Sequence, residues 1–327
     1  MSNPPDIVPE ETRWVAAAEQ TRKQHSGKLL RMQIILFASF AVFFGTIIAT
    51  VNALLPTAAA VTLVVGSLTA AFGTGMIYYY EQKDVQAAVK QQLIAPLVRR
   101  INQNFEYLPK KGLKQADLHH SALFPNINNI HSGDLLRGRH GKTDFVCSHL
   151  EVFQMGPKTR KAPFRNGKFE QSKPSFSGLM IIADSNKHFK GRTIIVPDHF
   201  EKYFGRWFSK QIAKLSYTRL QNVEMEDPDF ERAFEVYTTD QVEARYLLTP
   251  DMMERILRLQ HQLKREIRIA FYRDRVYVSI DDVQNFRVNL HRRLRVEEVS
   301  GRVEEQWALI RSVIDGLGLN ERLWTKD

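Results

Sequence analysis

Residues 34–55 read IILFASFAVFFGTIIATVNALL, and residues 58–80 read AAAVTLVVGSLTAAFGTGMIYYY. Neither stretch holds a charged side chain. At a rise of about 1.5 Å per residue, each is long enough as a helix to cross a hydrocarbon core about 30 Å thick. Only Pro56 and Thr57 separate them, a connection that suits an antiparallel helical turn. The expectation is a two-helix transmembrane hairpin over residues 34–80. A cleavable signal peptide would begin within the first few residues, and no second span would follow it.

The flanks orient the hairpin. Arg22, Lys23, Lys28 and Arg31 precede the first span, Lys83, Lys90, Arg99 and Arg100 follow the second, and the turn has no basic residue. Basic residues stay on the cytoplasmic side, so both termini are expected there, in an inner (cytoplasmic) membrane. Tyr78, Tyr79 and Tyr80 fall at the inner interface, where amphipathic rings are favoured. Small residues recur as Ala41, Gly45, Ala49 and Ala53 on the first span and as Ser67, Ala71 and Gly75 on the second, stripes that allow close helix packing. With no ionisable residue in either span, neither a proton relay nor an ion path is expected inside this hairpin.

Working outward, residues 1–33 form an N-terminal segment on the same side as the C-terminus. Its first dozen residues are polar and Pro-rich, and a short helix over 13–31 leads into the membrane. Residues 81–110 carry Val85, Val89, Leu93, Leu97, Ile101, Phe105 and Leu108 at near-helical spacing, which predicts a stalk helix kinked at Pro96. Residues 111–327 form the cytoplasmic domain. Strands are expected at 144–155, 176–183 and 192–196, with a Gly- and Lys-rich loop over 156–173. An aromatic-faced helix is expected at 199–215, and a helix through Leu263 capped by Thr249 and Pro250. Ile267, Ile269 and Phe271 alternate, as do Val276, Val278 and Ile280, around Arg273 and Asp274, the strongest hairpin signal in the chain. A last helix is expected over 302–315, stopping at Gly316. Strands and helices do not alternate strictly, so the fold class is α+β, a largely antiparallel sheet with packed helices behind the membrane hairpin.

The order Phe189-Lys190-Gly191, Thr193-Ile194, Val196-Pro197-Asp198, then Glu226-Asp227-Pro228, Phe230, Phe234, Val236-Tyr237, and the run from Asp240 through Arg245 to Thr249-Pro250, resembles the bacterial domain-of-unknown-function 3137 family. The resemblance covers roughly residues 30–290 and departs at Ser185, where Phe is expected before Asn186 and Lys187. It implies a membrane-anchored layout and adds no catalytic residue.

The formal charge is +10, and residues 99–173 hold fourteen Lys and Arg against six Asp and Glu. Held beside the inner leaflet, that stretch suits anionic lipid headgroups, and no nucleic-acid motif accompanies it. The single cysteine, Cys147, excludes an internal disulfide and thiolate zinc sites; with His149 two residues on, it suggests a catalytic pair less than a small buried hydrophobe. Seven histidines fall between His119 and His199 without a metal-binding spacing, so no metal and no cofactor is expected. Gly141-Lys142-Thr143 imitates the end of a phosphate loop, but Leu136 stands where glycine is needed and a strand follows where a helix is required.

Asp240, Glu243 and Arg245 form the densest charged block, among Phe234, Val236, Tyr237, Tyr246, Leu247 and Leu248. A carboxylate–arginine set in apolar surroundings is a structural ion pair, a ligand clamp or an acid–base centre. The reading is a membrane-anchored binding or scaffolding module with a protein partner and no assigned catalytic residue. The alternatives are a tethered enzyme using that block and an accessory subunit of a membrane complex.

Overall fold

The computed structural model describes residues 10–52, 56–124, 127–154, 164–165, 168–169, 174–198, 220–286, 288, 290 and 296–321. The aromatic helix expected at 199–215 lies outside the described residues, as does most of the loop expected over 156–173. The chain divides into two compact units, residues 1–96 with 287–299, and residues 97–286 with 300–327.

The first unit is built on α1 (Glu10–Val51) and α2 (Thr57–Ile101). Both are long and apolar enough to cross a membrane by length and composition. They run antiparallel, because Thr21 meets Gln92 at 2.9 Å, Lys28 meets Glu81, and Gln33 meets Tyr78 at 2.7 Å. The short helix expected over 13–31, the two uncharged stretches and the start of the expected stalk are thus parts of two continuous helices. Pro96 lies inside α2, and the helix ends at Ile101, short of the expected stalk end at 110.

One expectation about packing is corrected. Thr46, Ala60, Ser67 and Ala71 are buried and a Cβ built on Gly75 would lie 3.7 Å from Leu36, so the second small-residue stripe does line the contact. The first does so only in part: Ala41 and Gly45 are exposed, no atom lies within 4 Å of a Cβ built on Gly45, Ala49 is half-buried, and Ala53 lies outside the described residues. The inward line of α1 is Leu36, Ser39, Phe43, Thr46, Ala49 and Thr50, a spacing that follows the helix period where a strict four-residue repeat drifts around it. Nearer the N-terminus, Ala18, Leu29, Val85, Val89 and Leu93 form a small core with Val288 and Leu290, whose carbonyls accept from Gln86 and Arg22.

The second unit is an antiparallel sheet with helices. Its strands are β1 (Glu106–Leu108), β2 (Ile127–His140), β3 (Thr143–Gln154), β6 (Phe176–Pro197), β7 (Gln221–Asn222), β8 (Phe234–Thr238) and β9 (Ile267–Asp281). A separate short pair, β4 (Phe164–Arg165) and β5 (Lys168–Phe169), falls where only loop was expected. The helices are α3 (Gln115–Ser121), α4 (Pro228–Ala233), α5 (Gln241–Leu247), α6 (Pro250–Leu263) and α7 (Val296–Gly316). Thr249 caps α6 as expected, accepting from the Met252 N–H, while α7 starts six residues before the expected 302 and stops at Gly316.

The expected hairpin forms inside β9. The Asp281 N–H donates to the Glu266 carbonyl at 3.0 Å, Arg265 reaches the Asp282 carbonyl, and Arg268 Nη2 lies 3.8 Å from Asp281 Oδ2. Ends this close are incompatible with a straight run of 15 residues, which would hold them about 50 Å apart. The chain turns back over 272–275, where Arg273 has φ +55°. Residues 275–281 pair with 178–184 of β6, and 269–271 pair with 193–195. The strands expected at 176–183 and 192–196 are therefore two arms of β6 that flank this hairpin, with 185–191 passing around its tip. β3 pairs with the first arm of β6 and β8 with the second.

Both faces of the sheet are covered. One carries Leu150, Val152, Met180, Ile182, Ile194 and Ala270 against Leu118, Leu123 and Phe124. Arg268 is buried there with its guanidinium 5.5 Å from the Phe124 ring and 5.1 Å from Phe176, and burial pushes its pKa down to about 10. On the other face, Phe189 and Phe271 meet edge to face at 5.5 Å. Gly316 of α7 closes to 3.3 Å from Leu259 of α6, measured to the position a Cβ would take.

Candidate functional site

The charged block singled out in the sequence lies where the outer wrap of β6 crosses the tip of β9. Asp240 is extended and caps α5, its Oδ1 accepting from the Val242 and Glu243 N–H groups at 3.0 Å each. Glu243 turns back onto β6, where Oε1 accepts from Lys190 N–H at 3.0 Å and Oε2 from Gly191 N–H at 2.7 Å. Thr239 Oγ1 accepts from Arg192 N–H at 2.8 Å. A Cβ on Gly191 would lie 2.9 Å from Asp240 Cβ and 3.0 Å from Glu243 Oε2, so glycine lets the two backbones approach closely. Both carboxylates are thus spent on backbone amides, fixing α5 against residues 190–192.

Arg245 shares the block but not its bonding. It is exposed in the last turn of α5 and pairs with neither Asp240 nor Glu243. It belongs to an outer face with Gln241, Val242 and Tyr246, while Ala244 and Leu247 face inward. Val242 is 81% and Tyr246 64% exposed; outside α1 and α2 they are the large hydrophobic side chains that the described residues expose. The sequence suggested apolar surroundings for the block, and Tyr246 is instead on the surface. Its spacing from Val242 was the available signal, since residues four apart share a helix face.

Residues 187–190 border this face. Lys187 Nζ sits 4.3 Å from the centre of the Tyr246 ring, within cation–π range. His188 Nδ1 lies 3.0 Å from Asp274 Oδ1 at the β9 tip. Behind the tip, Arg192 stacks 4.1 Å from Tyr272, and burial lowers its pKa. An open groove of about 780 Å³ adjoins the tip, lined among others by Arg137, Arg139, Asp144, Ile182 and Asp274. Its arginines already hold carboxylates: Arg137 Nε meets Glu106 at 2.6 Å, and Arg139 grips Asp144 through two contacts of 2.7 Å. The hydrogen bond from Arg139 lowers the Asp144 pKa.

The other singled-out residues are scattered. His131 pairs with Glu151, His140 with Asp315, and His149 with the Val283 carbonyl; among the described residues no group of three His, Cys, Asp or Glu is placed to hold a metal. Gly141 and Lys142 form the tight β2–β3 turn, with Gly141 at φ +59° and the Lys142 N–H donating to Asn320. Cys147 is fully buried and its thiol is pushed up to about 12.

Residues 174–319 match a family model described as "Protein of unknown function (DUF3137)". That span contains β6, α5 and β9, and it bears out the resemblance drawn from the motifs between Phe189 and Pro250. Among solved structures, the crystal structure of the mycobacterial trehalose monomycolate transport factor A, TtfA, is 10% identical over 68% of this chain and 95% of that chain, with a TM-score of 0.34. No curated protein matches the chain.

Proposed function

We propose that this chain is a membrane-anchored accessory module: a helical hairpin inserted in an inner (cytoplasmic) membrane, with the sheet unit on the cytoplasmic side as its binding part. One observation carries the anchor. The uncharged stretches of α1 and α2 turn their large side chains outward, Phe37 at 73% and Phe72 at 75% exposed, with Ile48 and Val61 among many others. A core helix would bury such residues, and an apolar surface of this extent needs an apolar solvent.

The hydroxyls fit the same environment. Ser39, Thr46, Thr50, Thr62, Ser67 and Thr69 each donate to a carbonyl three or four residues back in their own helix, so none needs water. The basic flanks and the charge-free turn argue for both termini in the cytoplasm. The basic excess over residues 99–173 then has anionic headgroups within reach.

Alkaline carbonate extraction of cell membranes tests the anchor, with the chain expected in the pellet. Recovery in the supernatant would overturn it. A fluorescent reporter fused after Asp327 is expected to be active only on the cytoplasmic side, and an active periplasmic reporter would reverse the orientation.

A further inference from the structure

We infer that the outer face of α5, with residues 187–190 of β6, is a docking surface for a segment of a partner protein that sets carboxylates beside an apolar side chain. The inference deepens the binding role proposed above by naming the surface and the chemistry it accepts.

Three observations converge on this ledge. Val242 and Tyr246, the large hydrophobic side chains that the described residues outside α1 and α2 expose, stand together on one face of a short helix. Exposed Arg245 flanks them on one side, and exposed Lys190 and ring-stacked Lys187 border the face. Tyrosine and arginine are the side chains most often found to anchor interfaces. Lastly, the ledge is held in place before any partner arrives. Asp240 caps the helix, Glu243 clamps the Lys190 and Gly191 amides, and Gly191 admits no side chain. A surface already ordered loses little freedom on binding.

Charge decides between a protein segment and a lipid surface. Within the ledge, Lys187, Lys190 and Arg245 stand against Asp240 and Glu243. A charged membrane acts over a screening length of about 8–10 Å and reads that sum, which is only +1. A peptide carboxylate in contact reads the nearest groups. These are the cations, because Asp240 and Glu243 accept from backbone amides. The arrangement therefore complements a carboxylate-bearing segment whose apolar residue covers Val242 and Tyr246.

The test uses the full chain in its own membrane, with a photo-crosslinking amino acid at position 242 or 246 and, as control, at exposed Glu254 on α6. Both ledge positions are expected to capture one and the same segment, sequenced from the adduct, with Asp or Glu next to an apolar residue. Arg245→Glu and Lys190→Glu should each cut capture about tenfold without changing abundance or protease resistance. A synthetic peptide of that segment should bind the full chain in lipid nanodiscs, and its Asn/Gln version about tenfold more weakly. Adducts to lipid, a set of proteins no different from the control position, capture indifferent to both charge reversals, or no adduct would each overturn the inference. Carbonate extraction of the same cells separates the two proposals: a released chain that keeps its adduct loses the anchor alone, and a retained chain without adduct loses the ledge alone.

Discussion

At the scale of single residues, two positions carry sharp expectations. A Cβ on Gly191 would lie 2.9–3.0 Å from atoms of Asp240, Glu243 and Thr239. Gly191→Ala should therefore push α5 off β6 and destabilise the protein by about 1–3 kcal/mol, the usual cost of overpacking; the thermal midpoint of the detergent-solubilised chain reads this out, and an unchanged midpoint contradicts the clamp. Cys147 is buried, and desolvation raises its thiol from 9.0 to about 12. At pH 8 about one thiol in ten thousand is then ionised. Maleimide labelling should be absent in the folded chain and complete after denaturation. The linkage has a definite sign. Between pH 9 and 12 the folded state holds a proton that the unfolded state has released, so stability falls as pH rises through that interval. Much of this scale was legible in sequence: a lone cysteine in an alternating strand reads as buried, and Thr249-Pro250 reads as a helix start. That Glu243 would serve backbone amides was not legible, because the N–H groups that donate to it sit about fifty residues away in β6.

Among the elements, the helical hairpin and the nested strands teach opposite lessons. The apolar stretches announced two helices and their antiparallel turn, but not their contact faces. Ala71 is buried at the contact while Ala41 is exposed. Ala71→Phe should lower the unfolding midpoint in detergent, by about 1–3 kcal/mol of strain, and Ala41→Phe should not; the reverse order would restore the stripe read from sequence. In the sheet, alternation located the arms of β6 and β9 and the β9 turn. It left open that the β9 hairpin would sit between the two arms of β6, because a strand's pattern records which of its faces is buried and not which neighbour takes its hydrogen bonds.

For the whole molecule, the decisive property is the outward apolar surface of α1 and α2. Phe44 is exposed midway along the first uncharged stretch, so Phe44→Asp should impair insertion, an aspartate at mid-membrane costing about 2.5–3.5 kcal/mol. Val242→Asp, at a still more exposed apolar site on α5, should leave membrane retention unchanged; loss of retention in both variants would point to misfolding instead of anchoring. The amino-acid sequence by itself determined the helical hairpin, the α+β class and the positions of most strands, because uncharged length, period and capping chemistry are local properties of the chain. Only the tertiary structure decided which faces meet, how β6 encloses β9, and that Val242, Arg245 and Tyr246 stand outside while Asp240 and Glu243 turn inward. Those outcomes depend on contacts between residues far apart in sequence, which no local pattern encodes.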